Sequence, residues 1–197
     1  MSSGGRARYS NTLSRRAIDL IRKVVVAAAL LFAPTLAAAQ TVIAGRAVGI
    51  ADGDTITILD ASKTQHRIRL AGIDAPERGQ PGGQRSKESL SRLVYDQPVR
   101  VESAKRDRYD RIVGKVWVAS PDSPCRGKSD CPMTLDAGLA QITVGRAWWF
   151  RKYADEQSPE DRGRYEFAEQ EARAKKAGLW RDGTAVPPWE WRASQRR

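Results

Sequence analysis

Five side chains in this sequence have the types that act on an anionic substrate. They are Asp54 in "DGDT", Arg69, Asp74 and Glu77 in "RIRLAGIDAPE", and Arg111 in "DRYDRIVGKV". Two carboxylates meeting at one place with no histidine or thiol between them form an oxygen-only site. Such a site suits a hard cation such as calcium better than zinc or copper. Guanidinium groups present paired N–H donors that match a phosphate. Each piece also has a plain reading. Asp52-Gly53 is an ordinary hairpin-turn dipeptide, since both residues tolerate positive φ. Arg67 and Arg69 alternate with Ile68 and Leu70, as residues facing water from a strand do, while Asp74 and Glu77 flank Pro76 as turn residues do. The charge run at 105–116 reads equally as a solvated loop. The chemistry therefore depends on whether the fold gathers these residues.

The elements that would gather them follow from periodicity. Alternation on both sides of Asp52-Gly53 predicts a hairpin over 41–59, "QHRIRLAGI" a third strand, and "PVRVES" and "RIVGKVWVA" a fourth and fifth. A strand that opens at Asp54 and an antiparallel neighbour that ends before Asp74 place both carboxylates at one sheet end. "GQPGGQ" (79–84) reads as a flexible loop, followed by a helix over 86–94 with Ser86 as N-cap. A short helix over 134–145 stops at Gly145. A longer one over 158–178 has Ser158 as cap, Pro159 at its first position, Glu160 and Asp161 at its positive end, and Gly178 as its stop. Five short strands with late helices predict an α+β fold, a five-stranded OB-type β-barrel with about three α-helices. Trp148, Trp149 and Phe150 read as core. Tyr153, flanked by Arg151 and Lys152, reads as a stacking surface for a base.

The chain of 197 residues carries a formal net charge of +11. Its start has the layout of a secretory leader, with basic residues up to Lys23, an apolar stretch over 24–36, and small residues ending at Ala39. Cleavage there removes residues 1–39, with six basic residues and Asp19. The rest keeps 28 Lys+Arg against 22 Asp+Glu, a net charge of +6 that still favours an anionic partner. A periplasmic or secreted location is expected, with no stable membrane association after cleavage, and a monomer. Residues 40–182 form one domain, and 183–197 a tail in which Trp189 and Trp191 dock and the last residues fray. Cys125 and Cys131, close together in an exported chain, are expected to form a disulfide that staples a loop. With His66 the only histidine, structural zinc is not expected.

Taken together, "DGDT", "RIRLAGIDAPE", "DRYDRIVGKV", "GRAWWF" with its following tyrosine, and "EARAKKAGLW" resemble the staphylococcal nuclease (thermonuclease) family, from about Val42 to Trp180. The resemblance implies an OB barrel with three helices that hydrolyses DNA and RNA phosphodiesters with calcium, single strands being preferred. It places Asp54 and Asp74 on the calcium carboxylates and Ala75 where a backbone carbonyl ligates the metal. Glu77 falls on the proposed general base, Arg69 and Arg111 on the phosphate-binding arginines, and Tyr109 and Tyr153 on tyrosines of the nucleotide pocket. Two departures stand out. Asp110 occupies a position where the family has glycine, and its charge could compete for Arg111. The segment 119–133, with both cysteines, looks like a surface insertion. Two rivals share the same residues: an OB module that binds single-stranded nucleic acid without cutting it, and a calcium-stabilised structural domain.

Overall fold

The computed structural model describes residues 41–196, so the leader predicted over 1–39 lies outside the described residues. The elements are β1 (Thr41–Ile50), β2 (Thr55–Leu59), β3 (Gln65–Leu70), β4 (Ile73–Asp74), α1 (Gly83–Val94), β5 (Pro98–Arg106), β6 (Ile112–Val118), β7 (Leu135–Asp136), α2 (Ala137–Thr143), β8 (Trp148–Trp149), α3 (Pro159–Ala174) and α4 (Pro188–Ser194). Short 3-10 turns cover Arg151–Glu156 and Gly178–Trp180. Strands β3, β2, β1, β5 and β6 neighbour one another in that order, and a parallel β3–β6 pairing closes them into a five-stranded barrel. This is the expected α+β OB-type fold.

Alternation explains the barrel. Ile56, Ile58, Ile68, Leu70, Val99, Val101, Val116 and Val118 are buried, and the residues between them on each strand face outward or to a rim. Leu90 and Val94 of α1 and Ile142 of α2 join the same core. The β2–β3 register sets Thr55 opposite Arg69, and the Leu70 N–H donates to the Asp54 carbonyl at 2.8 Å. That one ladder already fixes Asp54 beside Arg69. The third strand is shorter than its apolar run. It breaks at Ala71-Gly72, and Ile73-Asp74 pair instead with Trp149 and Trp148.

The first helix begins at Gly83 rather than at Ser86. Gly82, at φ +92, turns the chain into it, so part of the glycine-rich loop is helical. Ser86 is fully buried inside α1, and its hydroxyl donates to the Arg146 carbonyl at 2.7 Å. Ser158 caps α3 as expected, its hydroxyl accepting the Asp161 N–H. That helix ends at Ala174, where the chain turns through Lys176 at φ +50 before Gly178 is reached. Cys125 and Cys131 form a disulfide. In the loop they close, the Arg126 guanidinium donates to the Arg92 and Leu93 carbonyls at 3.0 and 2.8 Å. The insertion thereby satisfies the open C-terminal end of α1. Among the described residues no helix is long and apolar enough to cross a membrane.

The helical layer is tied to the barrel through a buried polar knot. The Asp136 carboxylate accepts from the Gly138 and Leu139 N–H groups, capping α2, and its other oxygen accepts from the Tyr165 hydroxyl at 2.8 Å. Lys115 of β6 stands 3.9 Å from the same carboxylate. Removing the hydroxyl leaves a buried carboxylate short of a donor. Tyr165→Phe is therefore expected to lower unfolding stability by about 1–3 kcal/mol, measured by urea denaturation, with the far-UV spectrum unchanged.

Candidate active site

One guanidinium organises the site. Arg69 donates to the Leu70 and Ile73 carbonyls at 2.9 and 2.8 Å and to Asp74 Oδ1 at 3.0 Å. The same Nη2 lies 3.2 Å from Asp54 Oδ2. Asp54 and Asp74 are 5% and 1% exposed, so two carboxylates are buried around one arginine. Asp54 also accepts the Ala75 N–H at 2.7 Å and the Thr55 hydroxyl at 3.1 Å. Burial pushes the Asp54 pKa up to about 7; Arg69 opposes the shift, and Asp52 and Asp74 add to it. The cluster holds more negative charge than Arg69 neutralises.

The "DGDT" turn serves this arrangement by packing. Neither Asp52 nor Gly53 adopts positive φ, contrary to the hairpin-turn expectation. Gly53 is required for another reason: a Cβ there would sit 1.9 Å from Ser86 Oγ and 2.7 Å from Ala75 Cβ. The Gly53 carbonyl accepts from the buried Gln141 amide of α2, and Asp52 Oδ1 accepts the Asp54 N–H at 3.1 Å. Helices α1 and α2 thus press the carboxylate-bearing loop against the chain at Ala75.

Arg111 approaches from β6. Its Nη1 is 3.5 Å from the Thr55 hydroxyl, one residue from Asp54. The competing acid is Asp107, not Asp110. Asp107 Oδ2 accepts from Arg111 Nε at 2.7 Å, while the Asp110 carboxylate accepts from Arg106 at 3.0 Å. Asp110 adopts φ +58, a left-handed conformation that aspartate tolerates better than most residues. Asp107 is partly desolvated, but its bonds from Arg111 and from the Tyr109 and Arg111 N–H groups hold its pKa below the ordinary value.

These groups line one open cleft of about 1130 Å³. Tyr109 and Tyr153 also line it and are exposed, 61% and 41% respectively. Lys105 lies 4.9 Å from the Tyr153 ring centroid. Trp148 and Trp149 are buried as expected, but Phe150 lies on the cleft wall, edge-on to Tyr153 at 5.2 Å.

Glu77 opens onto the same cleft, and here the structure adds a residue that sequence reasoning missed. Arg192 of α4 donates to Glu77 Oε1 at 2.5 Å, to Asp74 Oδ2 at 2.7 Å and to Asp74 Oδ1 at 3.3 Å. Partial burial works against its charge, but the bonds to Asp74 and Glu77 outweigh that and raise the guanidinium pKa above its ordinary value. The tryptophans of "WEWRAS" signal docking; nothing in the segment singles out the arginine. Trp189 does dock, stacked on Phe150 at 5.6 Å.

The donor set fits a hard divalent cation. Asp54 and Asp74 supply carboxylate oxygens, and Ala75 lies buried against Asp54. Among the described residues no three Asp, Glu, His or Cys side chains make a ready cage. An ion here would complete its shell with backbone and water oxygens, as calcium does.

Residues 67–182 match the family model described as Staphylococcal nuclease homologue. The chain is 37% identical over 152 residues to a protein named Micrococcal nuclease from Shigella flexneri, covering 77% of this chain and 82% of that one. It is 36% identical over 180 residues to Protein ParB from Escherichia coli, covering 91% and 94%. A protein named Staphylococcal-like nuclease CAN1 from Arabidopsis thaliana is 34% identical over 130 residues, 66% of this chain and 34% of its own length.

The raised Asp54 pKa has a consequence for the metal-free protein. The folded chain keeps that proton up to about pH 7, whereas an unfolded aspartate releases it near its ordinary pKa of 3.8. Between those values the folded state binds more protons, so its stability falls as pH rises. Urea unfolding in EDTA at pH 5 and pH 8 is expected to show a larger loss for the wild type than for Asp54→Asn, which has no such proton to release.

Proposed function

The chain belongs to the staphylococcal nuclease homologue family, and from that premise we propose that it is an exported, calcium-dependent nuclease hydrolysing phosphodiester bonds of DNA, RNA or both. The observation that carries the proposal is the convergence of Asp54, Asp74 and Glu77 with Arg69 and Arg111 on one cleft. Carboxylates alone repel a phosphate, so an acidic cluster between two guanidiniums makes sense where a cation intervenes. A binding module has no use for that cluster, which favours the enzyme over the non-catalytic reading.

Asp54 and Asp74 would hold calcium, together with the Ala75 carbonyl. Bound there, the ion supplies positive charge opposite a non-bridging phosphate oxygen. Glu77 positions or deprotonates the attacking water. Arg111, on a side chain only partly committed to Asp107, binds the phosphate and stabilises the charge that grows in the transition state. Arg69 faces the cleft from between the two carboxylates, fixes their geometry and contributes to the same stabilisation. Tyr109 and Tyr153 offer stacking faces to splayed bases, which favours a single-stranded substrate. The leader-like sequence over 1–39 and the Cys125–Cys131 disulfide support a periplasmic or secreted location.

The test is cleavage of a defined single-stranded oligonucleotide with calcium or with a calcium chelator. Cutting that stops on chelation is expected; calcium-independent binding without products would establish the module instead. Glu77→Gln and Arg111→Ala are each expected to lower kcat by on the order of 10²–10³ while staying folded. Full turnover in either variant removes that residue from the mechanism. Arg69→Ala is expected to lose activity and stability together, because it strips the partner from two buried acids.

A further inference from the structure

We propose that α4 is an intramolecular latch in which Arg192 occupies the acidic oxygens that the divalent cation and the attacking water need, so that loading the site requires the helix to lift. The proposal rests on the nuclease reading above and adds a regulated step to the same cleft.

The geometry sets the two occupants in competition. Both oxygens of Asp74 accept from Arg192, and Oδ1 accepts from Arg69 as well. Asp74 is almost wholly buried, so its oxygens have little free surface beyond these donors. Calcium binds carboxylate oxygens at about 2.3–2.6 Å, which would put it against the guanidinium on the same atoms. A third positive group at that distance is repelled where little water screens it. The same Arg192 Nη1 bonds Glu77 Oε1, one of the two oxygens that could orient a water. One side chain therefore engages a metal ligand and the candidate base at once.

The directional contacts that hold the helix are spread over its length. The Gln80 amide donates to the Val186 carbonyl at 2.6 Å just before α4, and Trp189 stacks on Phe150 in its first turn. Arg192 is the third contact. Gln80 also accepts the Glu77 N–H, so the loop that carries Glu77 is tied to the tail. A helix of seven residues is far below the length that is stable alone in water. Its order comes from docking: Pro188 is buried, and Trp189, Trp191 and Arg192 are half-buried. Such a segment opens at low free energy compared with the barrel. Lifting it also uncovers the face of Phe150 beside Tyr153, so docked α4 covers part of the aromatic wall where bases would stack.

Competition of this kind has a thermodynamic signature. If only a fraction of molecules is unlatched, the apparent calcium dissociation constant is the intrinsic one divided by that fraction. Calorimetric titration of the full chain with calcium chloride, free of nucleic acid, is expected to give a Kd at least about tenfold lower for Arg192→Gln than for the wild type. Trp189→Ala, which loosens the helix without touching an acid, is expected to shift the Kd in the same direction. Amide exchange over 188–196 is expected to speed up when calcium is added to the wild type. Equal calcium affinity in all three proteins, with exchange in α4 unchanged by calcium, overturns the latch and leaves the nuclease reading intact. A large loss of kcat in Arg192→Gln at unchanged calcium affinity also overturns it, making Arg192 a substrate contact. If no protein in the series binds calcium, the metal reading falls, and the latch falls with it.

Discussion

A buried arginine between two buried carboxylates is the constraint around which the rest of the site is arranged. Arg69 contacts both Asp54 and Asp74 and spends its other donors on the Leu70 and Ile73 carbonyls. Leaving any one of the three charges without its partner inside the protein costs several kcal/mol. The chain around them therefore has little freedom. The break after Leu70, the return of Ile73-Asp74 to pair with Trp149-Trp148, and the β2–β3 register all satisfy the same guanidinium. Burial, with smaller contributions from Asp52 and Asp74, raises the Asp54 pKa against the pull of Arg69, so a further cation beside these carboxylates would be favoured.

The helical layer holds the cluster in place. Gln141 from α2 bonds the Gly53 carbonyl and the Ser86 carbonyl of α1, so two helices and the "DGDT" loop share one side-chain amide. The loop approaches α1 more closely than any side chain at position 53 permits. Below this, Asp136, Tyr165 and Lys115 join α2, α3 and the barrel wall. Rigid elements thus fix the acids, while Arg111 and Tyr109 on the opposite wall sit on the loop after β5, and Tyr153 on the 3-10 turn at Arg151–Glu156, with more exposure. That division suits a site that must hold a cation firmly and admit a long, flexible polyanion.

Two cations are candidates for the acidic oxygens, one carried by the chain and one from solution. Arg192 satisfies the cluster's charge with directional hydrogen bonds, at the expense of holding a short terminal helix in place. A divalent ion delivers twice the charge from a smaller sphere. The balance between them depends on the free energy of docking a seven-residue helix, a quantity small enough to be tuned by single contacts such as Trp189 on Phe150.

Much of this was legible in the sequence because it is written in neighbours and in periods. Alternation marked the barrel strands, Ser158-Pro159 marked the start of α3, the cysteine pair marked its disulfide, and antiparallel pairing placed Asp54 at the end of β3, beside Arg69 and just ahead of the turn that leads to Asp74. What lies close in the chain or repeats every second residue leaves a local trace. Other features left none. Ser86 resembled a cap and is an interior side chain, since only the packing of Gly53 beside it shows that α1 starts a turn earlier. Arg111 follows two acids, and the loop's own hydrogen bonds chose Asp107 over Asp110. Arg192 meets Asp74 across 118 residues, a pairing with no period and no motif. The sequence by itself determined which elements form and which acids and guanidiniums they carry. Only the tertiary structure decided which charges pair, because a buried charge takes the partner that the closed fold brings within hydrogen-bond reach.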